Sequence, residues 1–161
     1  MATLTKAQQA ELAEQLDRQF SLVHLRCDGY LVSAGMRRIG NTRLAIVVHV
    51  NGYIRGQWMV IASSVDELPE ESRRFWRPQQ KRRYPAKFVR AMEKAIGKRK
   101  CKAGGYYGTR IIPSPYWNRP RPFIRHLLQH NESVEIIDYA TYMAEMEAME
   151  KELILAESRD G

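Results

Sequence analysis

SLVHLRCDGYLVSAGMRRIGNTRLAIVVHVNGYIRGQWMV, residues 21–60, decides the fold. Short apolar runs recur there, broken by Asp28-Gly29, Gly40-Asn41 and Asn51-Gly52. Each break supplies residues that tolerate the backbone angles of a tight turn. Runs of period two between such breaks read as strands, at about 21–27, 30–37, 42–49 and 53–60. The short connections favour an antiparallel meander. In the last hairpin, Leu44, Ile46 and Val48 share one face of the first strand, and Ile54, Trp58 and Val60 share one face of the second. A two-residue Asn51-Gly52 loop sets those rows on opposite faces. A three-residue loop, Val50-Asn51-Gly52 with Gly52 in the left-handed region, keeps them together, and this glycine-bulge form is the expectation.

Upstream, Thr5 followed by Gln8 suits a capping box. Leu12, Leu16 and Phe20 then recur on one face, predicting a helix over about 6–19. Downstream, Asp66–Trp76 reads as a short helix with Pro69 limiting its start and Arg77-Pro78 ending it. Gln79–Tyr84 reads as a basic connector. Phe88, Val89, Met92 and Ile96 give a helical stripe over about 85–96, with Pro85 in the first turn and Gly97 at the stop. Residues 97–122 combine four glycines, four prolines and interleaved aromatics. They read as a long Gly/Pro-rich basic aromatic loop, which in a compact chain is either functional or poorly ordered. A helix over 120–130, a strand within 133–139 and an acidic C-terminal helix over 140–157 complete the chain. The fold class expected is α+β, in one small domain spanning 1–161. An N-terminal helix precedes an antiparallel sheet of about four strands, covered by central and C-terminal helices.

The net charge of +8 conceals a sharper pattern. Residues 1–70 balance at zero, residues 71–125 carry +15 and residues 126–161 carry −7. Such polarity steers and holds an oppositely charged partner and says little about fold. Lys and Arg neutralise phosphates without reading bases. Arg82, Arg83, Lys98, Arg99, Lys100 and Lys102 are the leading candidate backbone contacts, extended by Lys87, Arg90 and Lys94 at helical spacing. Tyr106, Tyr107 and Trp117 are candidates for stacking on unpaired bases, with Arg110, Arg119, Arg121 and Arg125 bracketing the strand. Against this stands the ordinary role of Tyr and Trp in packing loops onto a core. The function expected is non-catalytic nucleic-acid binding through a central basic patch. The alternative is a protein-interaction or inhibitory module docking on an acidic protein surface. Small size and high charge suit a regulatory or defence-related assembly. The acidic last helix can make a separate contact, pair with a second copy, or lie across the chain's own basic face and weaken any polyanion contact.

Enzyme chemistry finds little purchase. His126 and His130 share a helix face at i,i+4, but the pattern His-Glu-x-x-His and a third ligand are missing, so no metal is assigned. His24 and His49 fall in strands with no diagnostic nucleophile beside them. Gly104-Gly105-Tyr106-Tyr107-Gly108 lacks the ordered lysine and serine or threonine of a phosphate-binding loop. No cofactor is expected. Cys27 reads as a small core filler. Cys101 sits among lysines, whose charge can lower a thiol pKa, but an inert thiol is the preferred reading. Two thiols without short spacing suit a reducing compartment. With no eighteen-residue apolar run and no basic-then-apolar start, the location expected is cytoplasmic, without membrane contact.

Overall fold

The computed structural model describes residues 3–160. Helix α1 spans Lys6–Leu16 and opens with the capping box: Thr5 Oγ1 accepts the Gln8 amide at 3.2 Å, and Gln8 Oε1 accepts the Thr5 amide at 2.9 Å. The helix ends sooner than its apolar spacing predicts. Ser21 turns its hydroxyl to the Gln15 carbonyl, and Phe20 adopts φ 64° with its ring exposed instead of joining the stripe of Leu12 and Leu16.

Strands β1 (Val23–Cys27), β2 (Tyr30–Ile39) and β3 (Arg43–Val50) form the antiparallel meander. Cys27 pairs with Tyr30 across the Asp28-Gly29 turn, where both turn residues have positive φ. Gly35 in β2 is needed for space, because a Cβ there would strike the Ser21 carbonyl of the segment that runs beside it.

The expected fourth strand at 53–60 is absent. Asn51 and Gly52 adopt φ 51° and 84°, forming a two-residue turn bridged from Val50 to Tyr53. The glycine-bulge loop is therefore wrong. Its logic required a paired second strand, whereas the chain leaves the sheet after Tyr53 and coils into a 3-10 turn at Gly56–Trp58. Asn51 locks the turn through its own amide to the Leu31 carbonyl and through Oδ1 to the Leu31 amide. Trp58 reaches the core from outside the ladder, edge-on to Trp76 at 5.6 Å.

Later segments complete the sheet. While β4 (Arg77–Arg82) and β5 (Thr109–Ser114) form a separate two-stranded ribbon, β6 (Tyr116–Trp117) takes the free edge of β3 and β7 (Val134–Ile137) takes that of β1, giving the order β6-β3-β2-β1-β7. The chain is α+β, with helices packed against an antiparallel sheet larger than four strands. One face presents Leu25, Ala34 and Val48 to the core shared with α1, α2 (Glu70–Phe75) and α5 (Pro120–His130). Proline at the start of α5 is in the position where its missing N–H costs nothing. The other face carries His24, Ser33 and His49 in register. Over it lies the start of α6 (Tyr139–Arg159), whose Tyr142 ring sits 4.4 Å from that of His24. Arg26 clamps it by reaching Glu145 on α6 and Glu135 on β7.

Two stretches expected to be irregular are ordered. The connector becomes β4 (Arg77–Arg82), paired antiparallel with β5 (Thr109–Ser114). Between them, α3 (Ala86–Ile96) packs on α4 (Lys98–Ala103). The loop expected over 97–122 thus contains α4, β5, β6 and the first residues of α5. Backbone pairing explains the difference: β5 gains a full ladder from β4 and a bridge from Ala62, none of which periodicity reveals. Nor does α3 cover the five-stranded sheet as expected; α4 is its partner. Among the described residues, no helix is long and apolar enough to cross a membrane.

Candidate functional site

The ribbon β4–β5 and its inserted helices, residues 77–114, form a projection with a small packing centre of its own. Val89 and Cys101 are buried between α3 and α4. Tyr84, Phe88 and Tyr106 group beside them, with ring centroids 5.4 to 6.1 Å apart. Twelve Lys and Arg and one acid, Glu93, occupy this stretch. Among the described residues, none of those cations is ion-paired with a carboxylate.

Most of the expected contact residues belong to this projection. Arg82, Arg83, Lys87, Arg90, Lys94, Lys98, Arg99, Lys100 and Lys102 are exposed. Arg82 and Arg90 line a cleft of about 330 Å³ with Val89, Glu93, Tyr106 and Tyr107. Arg110 is half-buried on β5, opposite Lys81, and its Nε is enclosed without a protein acceptor. Tyr107 is exposed, but partial desolvation of its phenol and then the Glu93 carboxylate push its pKa up. Tyr106 is half-buried against Tyr84 and Phe88, so one of its faces is already used.

Trp117 does not belong with them. It is 4% exposed in the main core, donates Nε1–H to the Phe75 carbonyl at 3.1 Å, and packs on Phe123 and His126. Its polar edge and both flanks are committed, so it cannot stack on a base. Arg119, Arg121 and Arg125 are exposed but lie elsewhere, on a groove between α1 and α5. Glu14 and Asp17 share that groove and offset part of its charge.

Two arginines of the basic third are structural. Arg74 donates to Asp28 at 2.7 Å, to Asn131 at 3.2 Å and to Glu70 at 2.8 Å. Burial tends to raise the Asp28 carboxyl pKa, but the Glu132 and Ser133 amides and the Arg74 guanidinium outweigh it and hold it below the usual value. Arg77 donates Nε–H to the Tyr116 carbonyl, tying the ribbon to the sheet edge. Sequence spacing could not separate these from the free cations, because the partners Asp28, Asn131 and Tyr116 come from distant segments.

The histidine pair is close, with ring centroids 4.1 Å apart. His126 donates from Nε2 to the Arg73 carbonyl at 2.9 Å. Burial, with His130 beside it, pushes its pKa down to about 4. Among the described residues, no three His, Cys, Asp or Glu side chains are grouped to hold a metal ion. Cys101 is not activated by its lysine neighbours: burial and then Glu93 push its thiol pKa up. Cys27 is pushed up to about 12, chiefly by burial.

The acidic helix leaves the basic stretch uncovered in its own chain. Among the described residues, the ion pair of α6 is with Arg26, and none joins it to residues 77–114. Comparison with protein-family models, curated proteins and solved structures gives no match.

Proposed function

We propose that this protein binds nucleic acid without catalysis, holding the phosphate backbone with the cations of residues 77–114. One observation carries this function: twelve cations face a single acid, and none is spent on an ion pair among the described residues. Lysine and arginine left unpaired on two helices and a ribbon can replace condensed counterions along a polyanion. Arg82, Arg83, Lys98, Arg99, Lys100 and Lys102 supply the main contacts, with Lys87, Arg90 and Lys94 along α3. Tyr107 offers an exposed ring for stacking, and Tyr106 offers one face. Trp117 has no part in it. Arg119, Arg121 and Arg125 are at most an auxiliary site along the α1–α5 groove.

The test is fluorescence anisotropy with mixed-sequence single-stranded and duplex oligonucleotides. Binding should be indifferent to base sequence and should weaken by about 10³-fold or more between 50 and 200 mM salt if six or more phosphates are engaged. No binding at low salt would reject the function. Tight binding of an acidic protein with no nucleic-acid affinity would support the protein-docking alternative.

A further inference from the structure

Helix α6 outruns the body that supports it. Its early residues Tyr142, Glu145 and Met146 meet the sheet and the Asn51-Gly52 turn, where the Met146 methyl would lie 2.9 Å from a Cβ on Gly52. Residues 150–160 are all exposed. Leu153, Ile154 and Leu155 stand 56%, 64% and 56% exposed in consecutive positions. Tyr142, Met146, Met149, Leu153 and Ala156 recur at alternating steps of four and three, the spacing of a helix-pairing seam. The body uses the first two of these residues, and the last two run on without cover.

The charge beside that seam specifies its partner. Glu150, Glu152 and Glu157 flank it. Two α6 helices laid together would bring like charges against one another, which destabilises a pair. A basic helix with an exposed apolar strip is what fits. Helix α3 has that character: Phe88, Ala91 and Ala95 are exposed along it, and Lys87 and Lys94 border them. Lys87, Arg90, Ala91, Lys94 and Lys98 also line a shallow cleft of about 540 Å³ together with Glu93. Residues 147–159 of α6 extend about 20 Å, enough to run the length of an α3 of about 16 Å.

We infer that the free half of α6 docks on α3 of a second copy of this chain, apolar seam on apolar strip and carboxylates against lysines. The contact self-associates the protein and weakens as salt rises. It stands without the nucleic-acid function; if that function also holds, the docked helix and a polyanion compete for the same cations.

The test measures mass in solution by sedimentation and light scattering over a concentration series at low salt. Wild type should form species of at least twice the 18.7 kDa chain mass. Reversing α6 (Glu150→Lys, Glu152→Lys, Glu157→Lys) should weaken association at least tenfold, and reversing α3 (Lys87→Glu, Lys94→Glu) should do the same. Combining both sets should restore it, and circular dichroism checks that each variant is folded. Wild type that stays monomeric at every concentration would overturn the inference and leave α6 to a different basic protein. Association that survives reversal of α3, or no recovery in the combined variant, would overturn it as well. Nucleic-acid binding by a strictly monomeric protein would sink the pairing and leave the proposed function standing.

Discussion

The five-stranded body and the projection of residues 77–114 treat charge in opposite ways. In the body, Arg26 and Arg74 each meet two carboxylates. In the projection, twelve cations and Glu93 form no ion pair among the described residues. The two regions also differ in what holds them. The body buries Phe75, Trp76, Phe123 and a layer of aliphatic residues, while Val89 and Cys101 are the buried apolar residues of α3 and α4. Charge inside the body is part of the architecture; on the projection, Arg77 ties the ribbon to the sheet edge and the other cations have no carboxylate partner among the described residues.

That contrast breaks most visibly at Trp117. Trp117→Ala should destabilise the body by about 3–5 kcal/mol, read from denaturant unfolding. Replacing Lys98, Arg99, Lys100 and Lys102 by alanine should shift stability by roughly 0.5 kcal/mol or less per site. Equal effects from the two changes would erase the distinction. Arg74→Ala comes next, at about 2–4 kcal/mol, because it removes the charge partner of half-buried Asp28 and the donor to the side-chain oxygen of buried Asn131.

Acid probes the body in another way. Folded His126 stays neutral down to about 4, while the unfolded side chain takes up its proton near 6.5. Between those values the unfolded chain binds the extra proton, so stability falls as pH falls through the window. The loss should reach roughly 2–4 kcal/mol by pH 4, and His126→Gln should flatten it. The lowered pKa values of His24, His49 and His130 act in the same direction. Asp28 adds its share only below the ordinary carboxyl value of 3.8.

Hydrogen exchange sharpens the contrast with the smallest perturbation. Amides of β4, α3 and β5 should exchange faster than those of β1, β2 and β3, because few apolar contacts hold the projection shut. Uniform protection would join the two regions into one cooperative unit.

What could be read from the chain follows the same division. Asp28-Gly29 and Asn51-Gly52 announce their turns because few residues accept positive φ, and Thr5 with Gln8 announces α1. The expected fourth strand failed because residues 53–60 have strand composition but no neighbour: the β3 edge goes to Tyr116 and Trp117, about sixty residues on. The strand Arg77–Arg82 reads RPQQKR, without apolar alternation, because its ladder lies mostly at the surface. Helix α4 buries one side chain, Cys101, so no stripe marks it. Among candidate site residues, the exposed clustering of the α3 and α4 cations was legible because like charges crowd together in sequence. Trp117 was misread because a tryptophan in a proline-rich stretch looks the same whether a core or a ligand covers it.

The central claim is that the unpaired cations of the projection hold a polyanion, and the salt dependence of oligonucleotide binding tests it most directly. The account predicts that log affinity falls linearly with log salt, and that the variant lacking Lys98, Arg99, Lys100 and Lys102 loses up to about 3–4 from the magnitude of that slope while remaining folded. An unchanged slope and affinity in that variant would contradict it.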